Sequence, residues 1–216
     1  MKSLCTAFIR IALLAGALAL AACGASTGGT STGGNSTGGT SSAAPTATPK
    51  PKPASAPQVT QAFCESVMTV ADANQIMHPP APITTIRVQS DDELGVCAYN
   101  SPQSPLAVVK ILIELKPYTG PTPVPTSTIL QLVSQLANEP HVTVTTTKPV
   151  SGVGDQAEFL ATNVSESGIT VYADVMYVIY GKVAFLCDNF HFNTKPDDAA
   201  QMNSLQQCAE RVVSRL

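Results

Sequence analysis

Residues 169–192 read ITVYADVMYVIYGKVAFLCDNFHF, and this stretch decides the fold. Every second residue from Ile169 to Ile179 is apolar or a tyrosine, and this period of two predicts a β-strand. Gly181 and Lys182 predict a tight turn, after which Val183 to Phe192 predicts the partner strand of a hairpin. Such a long hairpin favours an antiparallel sheet over a parallel sheet built from βαβ units.

The segments on both sides of the hairpin predict further strands and three helices. Alternating or β-branched residues predict strands at 84–90, 95–100, 107–115, 141–148 and 156–160, with a turn at 91–93. Helical spacing of apolar residues predicts helices at 61–77, at 127–138 and from about residue 197 onwards. The first helix is expected to break near Thr69 or Asp72, and Thr194 and Asp197 have capping-box spacing before the last one. The predicted class is α+β, with a mainly antiparallel sheet packed by N-terminal, middle and C-terminal helices.

The aromatic residues crowd the hairpin and suggest a ligand-binding face. The candidate ligand-facing residues are Tyr172, Tyr177, Tyr180 and Phe185. Ordinary core packing is the favoured interpretation of the same residues. The strand face that carries Tyr172, Met176 and Tyr180 is too apolar to lie entirely in solvent, so we expect a helix, a ligand or a partner to cover it.

Residues 1–22 predict an export signal. Residues 1–10 carry Lys2 and Arg10 but no acid, and residues 11–22 are uncharged and almost wholly apolar. Twelve helical residues span about 18 Å, whereas a bilayer core is about 30 Å thick. The segment is therefore too short for a permanent membrane span.

The sequence Leu20-Ala21-Ala22-Cys23 resembles the lipobox of bacterial lipoproteins. The resemblance implies cleavage before Cys23 and attachment of a diacylglyceryl group and palmitate-type acyl chains to that residue. Ordinary secretion is the alternative, since Ala19-Leu20-Ala21 also fits a small-x-small cleavage site. That alternative leaves Cys23 as an unexplained odd thiol.

A tether follows Cys23, and one globular domain follows the tether. Residues 24–58 repeat Ser-Thr-Gly-Gly and then become rich in proline, with no aromatic and no large aliphatic residue. Such a segment cannot bury enough apolar surface to offset its ordering entropy. We therefore expect a signal peptide at 1–22, a lipidated cysteine and disordered tether at 23–58, and a single extracytoplasmic α+β domain at 59–216.

The remaining cysteines fit an oxidising compartment. Cys64, Cys97, Cys187 and Cys208 form an even set in a chain that is predicted to be exported. No two of them lie close enough for a Cys-x-x-Cys knuckle, which disfavours a metal site. The layout favours disulfides Cys64–Cys97 and Cys187–Cys208, while the two other pairings stay open.

Several motifs together resemble a family of actinobacterial lipoproteins that is classed as a domain of unknown function. They are the lipobox, the low-complexity tether, FCESVM at 63–68, GVCAYN at 95–100 and VSGVGDQAEF at 150–159. The family usually places an aromatic directly after the second cysteine, whereas Ala98 precedes Tyr99 here. The resemblance implies an extracytoplasmic lipoprotein with an α+β fold related to the PsbP-like sandwich, and it implies no catalytic residues.

Charge and motif content exclude several classes of function. All 15 acidic residues and 8 of the 12 basic ones follow residue 58, so this part carries a net charge of about −7. An acidic domain is a poor binder of nucleic acid and of anionic lipid headgroups. We therefore expect the acyl chains on Cys23 to provide the attachment to the membrane. His78, His141 and His191 are far apart, and Gly152-Val153-Gly154-Asp155 lacks the third glycine of a dinucleotide loop. We therefore expect no metal, no cofactor, and a tight turn in which Asp155 bonds the local backbone.

Three functions remain for a protein predicted to lie at the outer face of the cell membrane. The first is a non-catalytic binding or scaffolding domain, whose partner would be an envelope protein or a lipid. The second is a carrier of a hydrophobic ligand, which needs a cavity of about 300 Å³ or more, lined by Ile111, Val175, Tyr177 and Phe185. The third, a hydrolase of unrecognised type, is disfavoured because no residues form a nucleophile, base and orienting group.

Overall fold

In the computed structural model, the hairpin at 169–192 forms the centre of a seven-stranded antiparallel sheet. The structure describes residues 51–79, 81–90, 94–101, 110–125, 142–166 and 168–216, together with residues 128, 129, 131 and 134. The strands are β1 (Thr85–Ser90), β2 (Gly95–Asn100), β3 (Lys110–Pro117), β4 (Val142–Pro149), β5 (Gln156–Glu166), β6 (Ile169–Tyr180) and β7 (Val183–Phe192). Their order across the sheet is β1-β2-β3-β7-β6-β5-β4, and every neighbouring pair is antiparallel.

Three helices pack on one side of this sheet. They are α1 (Gln61–Val67), α2 (Val70–Met77) and α3 (Asp198–Arg215). The break between α1 and α2 falls at Met68, because Thr69 begins a new helix by exchanging hydrogen bonds with Asp72 in a capping box. We call the sheet surface under these helices the helix-covered face and the opposite surface the second face. The α+β class with a mainly antiparallel sheet is confirmed.

The last helix begins at a different residue from the one that the capping-box spacing suggested. Its N-cap is Asp197, whose side chain accepts a hydrogen bond from the Ala200 backbone N–H. Thr194 therefore does not cap it, because the helix begins three residues later than a capping box from Thr194 requires. Of the predicted middle helix, Thr128, Ile129, Gln131 and Ser134 are helical, and the rest lies outside the described residues. The predicted turn at 91–93 and residues 107–109 of the third strand also lie outside them.

The main core lies between the helices and the helix-covered face. Its largest buried side chains include Tyr99, Phe159, Phe185, Met68 and Met176. The Tyr99 hydroxyl lies 2.9 Å from the carbonyl oxygens of both Cys64 and Met68, so it satisfies backbone acceptors at the end of α1. The strand face that carries Met176 and Tyr180 belongs to this core, which confirms that a helix covers it.

The last residues of the predicted tether contact the domain. We call residues 51–58 the strap. The Lys182 N–H donates a 2.9 Å hydrogen bond to the Pro53 carbonyl, and the Lys52 ammonium pairs with Asp155. The strap thus lies against the β6–β7 turn before Val59 enters the core beside Gly95, where a Cβ would collide with the Val59 side chain. Among the described residues, no helix has the length and hydropathy needed to cross a membrane.

Candidate functional site

The disulfide predicted between Cys64 and Cys97 is confirmed. Its S–S distance is 2.02 Å, and it joins α1 to the central part of β2. Both residues are fully buried. The bond therefore fixes the N-terminal helices to the sheet beneath Tyr99.

Cys187 and Cys208 also come together, but as thiols. Their sulfur atoms are 2.9 Å apart between β7 and α3, and both side chains are fully buried. Burial, together with the hydrogen bond to Cys208, raises the pKa of the Cys187 thiol well above its usual value. Both residues are thiols in the structure, so the predicted Cys187–Cys208 disulfide stays a prediction.

The four candidate ligand-facing residues do not form one surface. Phe185 and Tyr180 belong to the helix-covered core, and strand alternation puts Tyr172 on the same face. Tyr177 points to the second face, where it packs beside Ile129, Ile179 and Ala184. Phe185 is 1% exposed and packs in the main core.

The second face carries buried ionisable residues around Tyr177. Glu114, Glu158 and Asp188 are each at most 6% exposed, although they lie on strands β3, β5 and β7 among apolar neighbours. Glu158 pairs with Tyr177 across β5 and β6, while Glu114 and Tyr177 both pair with Leu186 of β7. This row of side chains makes the second face polar around Tyr177.

Burial controls the protonation of this group. It raises the pKa of Glu114 to about 7, against a smaller opposing effect of the Lys116 charge. Burial also raises the pKa of Glu158, and it raises that of Asp188 well above its usual value, with the Glu114 charge as a further cause. Burial lowers the pKa of Lys116, and the negative charge of Glu114 partly offsets this lowering. Around neutral pH these groups therefore include carboxyls that keep their proton.

A small cavity opens beside these groups. Its volume is about 10 Å³, which is room for roughly one water molecule. It is lined by Leu94, Glu114, Lys116, Tyr177, Ala184, Phe185 and Leu186. Of the lining predicted for a carrier, Tyr177 and Phe185 border this cavity and Val175 does not, while the side chain of Ile111 lies outside the described residues.

Sequence patterns missed the buried acids. The period-two pattern puts Glu114 opposite Ile113 and Glu158 opposite Phe159, on the strand face that would be expected to meet solvent. The local sequence therefore carries no signal that these acids are buried. Asp174 on β6 is a fourth such acid, on the helix-covered face, and it is 1% exposed.

The other motifs have structural roles. Asp155 accepts a hydrogen bond from the Gly181 N–H, so its partner is the distant β6–β7 turn and not the local backbone that we predicted. His78 ends α2 in a left-handed conformation, and burial lowers the pKa of the His191 imidazole. His141 and Cys23 lie outside the described residues. Within the described part of the chain, no group of three or more His, Cys, Asp or Glu residues could hold a metal ion.

Comparisons with known proteins identify no family. No protein-family model matches the chain, and no curated protein is similar to it. Among solved structures, it is similar to the crystal structure of LpqN, which is involved in cell envelope biogenesis of Mycobacterium tuberculosis. The identity is 17%, over 65% of this chain and 94% of that chain, with a TM-score of 0.31. That TM-score is too low to support a shared fold or role, so the resemblance to actinobacterial lipoproteins stays a prediction.

Proposed function

We propose that this protein is an exported lipoprotein, held at the outer face of the cell membrane by acyl chains on Cys23. In this proposal, its α+β domain binds a component of the envelope and catalyses no reaction. The observation that carries the anchor is Leu20-Ala21-Ala22-Cys23 at the end of a short apolar run. The buried Cys64–Cys97 disulfide supports export, because disulfides persist in oxidising compartments.

Metabolic labelling with an alkyne fatty acid in an actinobacterial host tests the anchor. The full chain should incorporate the label and fractionate with membranes, because acylation creates the attachment. Cys23→Ala should lose the label and leave the membrane fraction. Cys5→Ala is the matched control, since that cysteine lies in the predicted signal peptide, and this variant should label normally. Continued labelling of Cys23→Ala would refute the proposed anchor.

The proposed binding surface is the second face around Tyr177. It combines an aromatic side chain with Glu114 and Lys116 at the edge of a small cavity, and such mixed surfaces suit recognition of a partner with polar groups. We infer a non-catalytic role because the histidines are scattered over the chain. Within the described residues, His78 and His191 lie on different elements, at the end of α2 and on β7.

The alternative proposal is a carrier of a hydrophobic ligand. The cavity at Tyr177 holds about 10 Å³, whereas a lipid needs several hundred. Native mass spectrometry of the domain purified from such a host separates the two functions. We expect the mass of the protein alone, and a stoichiometric adduct of lipid size would favour the carrier instead.

A further inference from the structure

A buried group of polar side chains lies at the junction between β6, β7 and the first turns of α3. We call Asp174, Asn189, His191 and Gln201 the polar seam. Asp174 pairs directly with Asn189 across β6 and β7, and His191 follows two residues later on the same face. Asp174, Asn189 and Gln201 are 1%, 0% and 8% exposed. Because water has so little access, these side chains must satisfy most of their hydrogen bonds among themselves.

The polar seam contains hydrogen-bond acceptors that lack a donor. The Asn189 amide Nδ2 donates a 2.8 Å bond to Gln201 Oε1, and the His191 imidazole also bonds the Gln201 side chain. Asp174 Oδ2, Asn189 Oδ1 and His191 Nε2 are buried and have no hydrogen-bond partner among the described residues. Directly opposed residues have Cβ atoms about 4.5 to 5.5 Å apart, so the Asp174 and Asn189 side chains are within reach of each other. One proton on Asp174, donated to the Asn189 oxygen, would satisfy both of these atoms.

The charges around Asp174 disfavour its ionised form. Asp198, at the start of α3, is a second negative charge near this carboxyl, and the opposing effect of the Lys195 ammonium is smaller. Lys195 is more than half exposed and lies 3.8 Å from an Asp198 oxygen, so it is engaged at the rim of the seam. Burial lowers the pKa of the His191 imidazole, which is therefore neutral at pH 7 and supplies no positive charge. Burial and, after it, the Asp198 charge raise the pKa of Asp174 to about 7.

The other described neighbours of Asp174 bring no positive charge. Ala161 is its partner on β5, and Tyr172 precedes it on the same face of β6. Thr146 of β4 is the next residue across the sheet after Ala161, and its hydroxyl donates a 2.6 Å bond to Asp198. Among these residues, the carboxyl therefore has no cationic partner to offset an ionised state.

Reversal of both amides is the alternative arrangement of the seam. Gln201 would then donate to the Asn189 oxygen, and Asn189 Nδ2 would donate to an ionised Asp174. This arrangement completes the hydrogen bonds, but it leaves a negative charge buried without a positive partner, which is strongly unfavourable. A proton on Asp174 supplies the missing donor and removes the charge at once.

We propose that Asp174 is a proton latch for α3: as a neutral acid it donates a hydrogen bond from Oδ2 to Asn189 Oδ1, and Asn189 in turn holds Gln201. Loss of the proton leaves two acceptor oxygens beside each other and a buried negative charge near Asp198. The first turns of α3 then loosen from β6 and β7. The latch acts at this junction and is separate from the acyl anchor and from the second face.

The sign of the pH response follows from the two states of the latch. The pKa of Asp174 is about 7 when the junction is closed and 3.8 without its environment. The closed junction thus binds more protons between these values, so its stabilisation is complete below pH 3.8 and is lost as pH rises through 7. We therefore expect a tight junction at pH 5 and a looser one at pH 7.5.

Hydrogen exchange of the α3 amides tests the latch. The full chain is purified in a nonionic detergent from an exporting host, and exchange is measured at pH 5 and pH 7.5. After correction for the intrinsic exchange rates, protection at residues 201–206 should fall by about 10- to 100-fold between these pH values. All chains carry Glu114→Gln, because that buried carboxyl of the second face loses its stabilisation in the same pH range.

Two variants distinguish the latch from general loosening of the helix. Asp174→Asn places an amide donor at the same position without a titrating group, so its α3 amides should be protected equally at both pH values. Glu210→Gln, an exposed change on the same helix, should keep the pH response of the parent chain. The proposal is overturned if protection in the parent chain does not change with pH, or if Asp174→Asn keeps the full response.

Carbon-13 NMR supplies a second readout that does not need the Asp174 variant to fold. In a chain labelled at aspartate, the assigned Asp174 carboxyl carbon should titrate with a midpoint at or above pH 6. A midpoint below pH 6 would show that the carboxyl is ionised at neutral pH and that the amides of Asn189 and Gln201 are reversed. That result would also overturn the proposal.

Discussion

Cys187 and Cys208 are placed so that a disulfide needs only a small movement of two sulfur atoms. We predict that the bond forms in the exported protein. The two thiols lose two electrons and two protons to the disulfide of an extracytoplasmic oxidoreductase, which is reduced to its dithiol. Thiol titration of denatured, non-reduced residues 51–216 from an oxidising host should therefore find no free thiol. Two free thiols per chain would contradict the prediction.

A stability measurement gives the contribution of the Cys187–Cys208 bond separately from that of the Cys64–Cys97 disulfide. The closed loop spans 21 residues, so its loss should lower the free energy of unfolding by about 3 kcal/mol in the chain-entropy description. The comparison is between the oxidised chain and the Cys187→Ala, Cys208→Ala double variant by urea denaturation. Comparison of the two proteins after full reduction of both isolates packing from cross-linking, because neither then contains a disulfide.

At the scale of elements, the strap belongs to the domain although its composition predicts a tether. Deleting residues 24–50 should leave the unfolding midpoint unchanged, whereas a chain that begins at Val59 loses the Pro53–Lys182 hydrogen bond and the packing of Ala56 against the core. We expect that loss to cost about 1 to 3 kcal/mol of unfolding free energy. Urea denaturation of chains beginning at residues 24, 51 and 59 checks this. Equal midpoints for all three would show that the strap contributes no stability.

The elements also show what sequence patterns can predict. The β6–β7 hairpin follows from local alternation and a two-residue turn, and the break at Thr69 follows from a local capping residue. The pairing of β3 with β7 joins segments about 75 residues apart and could not be predicted, since register repeats every two residues on any partner. The strap depends on long-range packing of the same kind, since Pro53 bonds Lys182.

At the scale of the whole molecule, buried carboxyls make stability depend on pH. The pKa of Glu114 is about 7 in the folded state and 4.5 without its environment, because burial disfavours the charged form. The folded state thus binds more protons than the unfolded state between these values, so stability is complete below pH 4.5 and is lost as pH rises through 7. Hydrogen bonds to Thr69 lower the pKa of Asp72 below its usual value. The contribution of Asp72 to the pH dependence of stability therefore lies at pH values below this window.

We therefore predict that the domain is more stable at pH 5 than at pH 8. Glu114 should account for a loss on the order of 2–3 kcal/mol, measured as the unfolding free energy in urea at fixed ionic strength. Glu114→Gln should flatten this dependence, because the amide carries no charge at either pH. The exposed substitution Glu65→Gln should leave it unchanged. A domain that gains stability from pH 5 to pH 8 would mean that Glu114 finds a positive partner when ionised, and Lys116, two residues away on the same face, would be the first group to replace.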